Sequence, residues 1–188
     1  MKNEIIQGSL GQIARDSNHS IAETFVSADA IVLCDTSGSM TTPDAPSGVS
    51  RYEALLKELR ILQSIMPGKI AVISFSSYTP IFCPDGVPHM LGGGTDVTGA
   101  LKFAKIADIP DAMKFIIISD GQMDNEFSAV DIARTYKNKI DVIYVGPENS
   151  PDGRDALQRL AKASGGSSIT ADRTQGLALS TQKLLMAA

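Results

Sequence analysis

Short apolar runs alternate with amphipathic stretches along most of this chain. "AIVLC" (residues 30–34), "KIAVISFSS" (69–77), "AMKFIIIS" (112–119) and "KIDVIYVG" (139–146) have the length and continuity of buried strands. Between them, "RYEALLKELRILQSI" (51–65) repeats leucine at Leu55, Leu59 and Leu62, one face of a helix. "DVTGALKFAKIA" (96–107) is helical by period although Gly99 weakens it. "EFSAVDIARTYKN" (126–138) predicts a helix, and "GRDALQRLAKAS" (153–164) predicts another that ends at Gly165–Gly166. "TPIFCP" (79–84) and "VPHML" (87–91) are short and flanked by prolines, which predicts an edge hairpin rather than central strands. A short strand "SSIT" (167–170) and a last helix "RTQGLALSTQKLLMAA" (173–188) close the chain.

Strands that alternate with helices imply right-handed crossovers and a sheet covered on both faces. The expected class is therefore α/β: a Rossmann-like, mainly parallel sheet with one short antiparallel edge strand and helices on both faces. In such sheets ligands bind beyond the carboxyl ends of the strands. Ahead of the first strand, Ile6, Leu10, Ile13, Ile21 and Phe25 fall near one helical stripe that Ser17 interrupts. Residues 1–27 thus read as a helical extension packed on the domain, with a partner-facing helix as the alternative.

Composition narrows the functional classes. At 188 residues the chain has the length of a single domain with a substantial core. A formal charge of −4 gives no reason to expect nucleic acid or an anionic membrane as partner. The apolar runs are too short to span a bilayer, and the charged N-terminus lacks the apolar segment of a secretion signal. Cys34 and Cys83 have no metal-binding spacing and read as reduced thiols in a cytoplasmic protein. Cys34, inside an apolar run, should be buried, and Cys83, beside Pro84 in the edge segment, should be the more accessible. His19 and His89 are too far apart in sequence to suggest a zinc cluster.

The candidate chemistry lies in "IVLCDTSGSM" (31–40), where an apolar strand runs into a cluster of oxygens. Asp35, Ser37 and Ser39 alternate, so their side chains can converge as the chain leaves the strand. A third hydroxyl is available from Thr95 in "GGGTDVTGAL" (92–101), and Asp120 ends the strand in "SDGQMD" (119–124). Taken singly, each of these stretches reads as a turn or a helix cap. Taken in order at strand ends, they form an all-oxygen set without thiolate or imidazole. That set suits Mg²⁺ or Mn²⁺ better than Zn²⁺.

These residues resemble a von Willebrand factor A-type (VWA) domain with a metal-ion-dependent adhesion site (MIDAS), of the stand-alone bacterial kind. Asp35, Ser37 and Ser39 match its D-x-S-x-S motif, Thr95 its separate threonine, and Asp120 in "IIISDG" its later aspartate. "SRYEALLKELR" (50–60) resembles the first helix of such domains. The resemblance covers roughly residues 28–186 of a domain that spans 28–188, and leaves 1–27 outside. The polar loop "TTPDAPSGVS" (41–50) departs from the pattern in length.

The resemblance implies that Ser37, Ser39 and Thr95 contact Mg²⁺ (or Mn²⁺, with Ca²⁺ less suited) and that Asp35 and Asp120 act partly through bound water. It implies a binding module, not an enzyme: an Asp or Glu of a protein partner fills the open coordination position. Lone bacterial members often work beside AAA-type ATPases. Two alternatives stand beside this reading. One is a metal-dependent phosphoesterase, for which Asp96 and Asp124 are the nearby acids. The other is a structural subunit with an unused metal site. His89 reads as a loop or rim residue.

Overall fold

The computed structural model describes residues 5–45, 48–147 and 151–170; the helix expected over 173–188 lies outside them. Its centre is a six-stranded sheet of order β3-β2-β1-β4-β5-β6. The strands are β1 (Ala30–Asp35), β2 (Ile70–Phe75), β3 (Ile81–Phe82), β4 (Lys114–Ser119), β5 (Ile140–Tyr144) and β6 (Ser168–Thr170). All neighbours pair in parallel except β3, which runs antiparallel to β2. The fold is thus the expected Rossmann-like α/β architecture with one short antiparallel edge strand.

Strand alternation divides the core in two. Ile31, Leu33, Phe115, Ile117, Val142 and Tyr144 pack with α4 (Val97–Ala104), α5 (Glu126–Ala133) and α6 (Pro151–Ser164). Val32, Cys34, Ile116, Ile118 and Ile143 face the leucine stripe Leu55, Leu59 and Leu62 of α3 (Arg51–Ile65). Strands buried on both faces need continuous apolar runs, which is why β1 and β4 read so clearly in the sequence. Helix α3 starts at a capping box: Ser50 Oγ accepts from Glu53 N at 3.1 Å, and Ser50 N donates to Glu53 Oε2 at 2.8 Å.

Two expectations about the elements change in detail. The N-terminal stripe breaks at Asn18, whose φ of 56° ends α1 (Leu10–Ser17) before α2 (Ile21–Val26) begins. The segment packs on the domain, as Gly11 N donates to the Pro84 carbonyl, Ile6 N to that of Asp85 and Gly68 N to that of Gly8. Residues 87–91 do not complete a hairpin. They cross toward the strand ends instead, where His89 N donates to Ser74 Oγ at 2.9 Å and Tyr52 Oη to the Pro88 carbonyl at 2.6 Å. Among the described residues no helix is long and apolar enough to cross a membrane.

Cys83 corrects the reading of the thiols. It is as enclosed as Cys34, with relative exposures of 2% and 0%. Its N–H donates to the Val72 carbonyl beyond the two-residue β3, and its Sγ lies 3.2 Å from Ser74 Oγ, so the edge segment tucks the thiol inward. Both cysteines are free, and burial pushes the Cys34 thiol well above its ordinary pKa. Neither thiol is expected to react with an aromatic disulfide reagent in the native state, and both are expected to react in denaturant. A native-state titration of one rapid thiol would contradict this packing.

Candidate functional site

The site follows from the register of β1 and β4. Cys34 pairs with Ile118, so one step further Asp35 stands level with Ser119. Asp35 and Ser119 continue the parity of Leu33 and Ile117, and Ser119 Oγ donates to Asp35 Oδ2 at 2.6 Å. The other oxygen, Oδ1, accepts Ser37 N at 2.9 Å, which turns the chain sharply after the strand. Asp35 is fully buried. That burial pushes its pKa up to about 6, against the lowering donations of Ser119 and Ser37 and with the charge of Asp120 adding to the rise.

Asp120 is one residue beyond β4, on the parity of Ile116 and Ile118, and so turns toward the α3 face. It is buried, and its Oδ1 accepts Gln122 N at 3.1 Å. Its Oδ2 accepts a hydrogen bond from Arg51 Nη1. The backbone here is held tightly: Gly121 has a φ of 75°, and a Cβ on it would lie 2.0 Å from the Gly153 carbonyl oxygen. Any side chain at 121 would therefore push the Asp120 loop off α6.

Three loops are stitched together over these carboxylates. Ser37 and Ser39 bring their hydroxyls within 3.2 Å of each other. Gly38 N donates to the Gly93 carbonyl at 2.9 Å, and Leu91 N and Gly92 N both donate to that of Thr36. Thr95 is buried, and its carbonyl accepts Asp124 N at 3.1 Å, which ties the glycine loop to the loop after β4. Asp35, Ser37, Ser39, Thr95 and Asp120 are thus gathered on mutually bonded loops at the carboxyl ends of β1 and β4. The donors are all oxygen, and among the described residues no cluster of three or more His, Cys, Asp and Glu competes with them for a metal. Each carboxylate engages one protein donor on each oxygen and retains lone pairs for water or an ion. The residues present therefore fit a hard divalent cation.

The other acids have different surroundings. Asp96 is exposed and caps α4, accepting Gly99 N on Oδ1 at 2.8 Å. Asp124 is exposed and lies over Gly94, where a Cβ would be 2.8 Å from both its oxygens. His89 is half-exposed and turns to Asp85, with Nε2 3.7 Å from Oδ2.

Sequence reasoning missed Ser119, Asp44 and Arg51. Arg51 is 5% exposed and joins three carboxylate contacts: Nη1 to Asp120, and Nε and Nη2 to the two oxygens of Asp44, each at 2.7 Å. The two-pronged bond to Asp44 raises the Arg51 pKa most, burial opposes it, and Asp120 adds to the rise; Asp44 in turn is held below the usual carboxylate range. A signal for Arg51 did exist. It is the first residue of α3, where the helix dipole disfavours a cation, so an acidic partner was to be expected.

The raised pKa of Asp35 has a consequence in chelator. A carboxyl that holds its proton better folded than unfolded stabilises the fold below its folded pKa, and that stability fades as pH rises through about 6. Asp35→Asn keeps an acceptor for Ser37 N without the buried charge. In EDTA it should melt higher than wild type at pH 7.5, by about 2–3 kcal/mol of stability, and the gap should narrow toward pH 5. A gap that does not depend on pH would show that Asp35 is not the titrating group.

No family model and no curated protein sequence matches the chain. Solved structures do. The SpRpn10 VWA domain superposes with a TM-score of 0.61 at 14% identity, covering 85% of this chain and 97% of that one. The manganese-loaded Plasmodium vivax TRAP protein superposes with a TM-score of 0.51 at 16% identity, covering 82% and 72%. With the six-stranded sheet and its single antiparallel edge, these likenesses give the chain the VWA-type fold.

Proposed function

We propose that the chain is a divalent-metal-dependent protein-binding module whose site is Asp35, Ser37, Ser39, Thr95 and Asp120. The observation that carries this reading is the gathering of three hydroxyls and two buried carboxylates on bonded loops at the ends of β1 and β4. Ser37, Ser39 and Thr95 are the direct ligands of Mg²⁺ or Mn²⁺. Asp35 and Asp120, whose oxygens already hold protein donors, act through water. That the TRAP protein of similar fold is manganese-loaded supports a divalent ion as the ligand.

When bound, the ion supplies an electrophilic position that prefers oxygen donors. The chain's own residues prepare it. Neutral hydroxyls donate weakly, and the buried carboxylates orient water without closing the coordination sphere. An Asp or Glu of a protein partner would supply the remaining oxygen donor through a charge-assisted contact. Exposed Tyr78 and Met90 lie on the segment between β2 and α4 that forms part of the rim and selects among partners. An AAA-type ATPase system is the partner class that the sequence resemblance supplies. Binding is favoured over hydrolysis because Asp96, the nearest acid to Thr95 in sequence, is committed to capping α4.

Calorimetric titration should find a single Mg²⁺ or Mn²⁺ site that Asp35→Ala abolishes and Ser39→Ala weakens. A ligand that binds only the native state adds about 2.7 kcal/mol of stability at a hundred times its dissociation constant, so the melting temperature should rise with metal. Unchanged binding in Asp35→Ala would move the site elsewhere. For a partner captured in Mg²⁺ and identified by mass spectrometry, affinity should fall in EDTA and in Ser39→Ala, with the fold intact by circular dichroism. Equal affinity in all these conditions would remove the metal from the interaction.

A further inference from the structure

We propose that Arg51 is a resident counter-cation of this site: it competes with the metal for Asp120, holding the metal-free site together while keeping metal affinity low. The inference rests on the metal-binding reading above and adds a residue that the site motif does not include. Four features carry it.

First, Arg51 stands at the first position of α3, against the preference of the helix dipole, so the helix itself does not favour a cation there. Second, the side chain is 5% exposed, and its fork is divided between a buried carboxylate just past the end of β4, Asp120, and a partly exposed one on the loop between β1 and α3, Asp44. Third, Asp120 is close enough to Asp35 for their charges to interact, and both are buried at neighbouring strand ends. Without a cation, two such carboxylates repel each other in a site with little water to screen them. Fourth, Asp44 follows the short helical turn Gly38–Thr41 that carries Ser39, and Arg51 N donates to the Thr42 carbonyl at 3.2 Å. The guanidinium therefore joins the hydroxyl loop to the carboxylate at the end of β4.

A divalent ion among the five oxygen donors would meet the positive charge of Arg51 across Asp120. The ion and the guanidinium draw on the same carboxylate, and each weakens the other's hold on it. The fork to Asp44 gives Arg51 a second anion toward which it can yield when the ion arrives. Charge-neutral replacement of Arg51 should then leave Asp120 freer for the ion and the metal-free site poorer in compensation. A purely structural Arg51 predicts the opposite for metal: its loss would disorder the site and weaken binding.

The experiment is Mn²⁺ titration calorimetry together with melting in EDTA, on the full chain at pH 7.5. Arg51→Gln should bind Mn²⁺ at least tenfold more tightly than wild type and melt lower in EDTA, while Arg51→Lys, which keeps the charge, should bind within about threefold of wild type. Arg51→Gln that is folded by circular dichroism and binds Mn²⁺ equally or more weakly overturns the proposal. Should Arg51→Gln fail to fold without metal, Asp44→Asn decides. It leaves Arg51 only Asp120 of its two acidic partners and should weaken Mn²⁺ binding several-fold, whereas unchanged or tighter binding overturns the proposal. Ser39→Ala separates the two readings. If wild type shows Ser39-dependent binding and only the Arg51 and Asp44 effects fail, the counter-cation role is wrong. If no Ser39-dependent binding occurs in any variant, the metal site falls and the counter-cation role falls with it.

Discussion

Two carboxylates withheld from water at the ends of adjacent strands set the terms for everything around them. Asp35 and Asp120 are both buried, and β1 and β4 are neighbours at the centre of the sheet. An uncompensated buried charge is costly, so each oxygen is met by a donor from the protein. Ser119, the Ser37 and Gln122 backbone amides and Arg51 are all explained by that demand. On the proposed reading, the same demand is the one a divalent cation would answer.

The rest of the fold keeps these groups in place. The strand order puts β1 between β2 and β4, with α3 on one face and α4, α5 and α6 on the other. The loops that leave β1 and β4 are bound to the glycine loop before α4 by backbone hydrogen bonds. A rearrangement of one loop therefore has to be shared by the others, which is the physical requirement for a site that responds to an arriving ligand. Arg51 extends that linkage to the polar loop through Asp44.

Much of the architecture was legible because buried parallel strands demand continuous apolar runs and a surface helix demands a stripe. "AMKFIIIS" became β4 less its first two residues, and the span 51–65 became α3 to the residue because its capping box and leucine spacing agree. The D-x-S-x-S spacing likewise placed Asp35, Ser37 and Ser39 together, since residues two apart on a chain leaving a strand need no distant partner to converge. Where a distant contact decided the outcome, sequence was mute. Cys83 is buried because Ser74 and the Val72 carbonyl on β2 draw the edge inward. Residues 87–91 leave the edge because Ser74 Oγ and Tyr52 hold them elsewhere.

By itself, then, the sequence determined the α/β class, the places of the central strands and of helices α3 to α6 in the chain, and the donor types at the strand ends, all of which depend on local period, capping and residue chemistry. Only the tertiary structure decided that Asp35 stands level with Ser119, that Asp120 turns to the opposite face, and that a cation 69 positions earlier in the chain meets it there. Register across β1 and β4 and the packing of the α3 N-terminus against the end of β4 fix those relations, and neither leaves a periodic trace in the chain. Arg51 illustrates the division. Its type and its place at a helix start are written in the sequence, but its two carboxylate partners are chosen by packing.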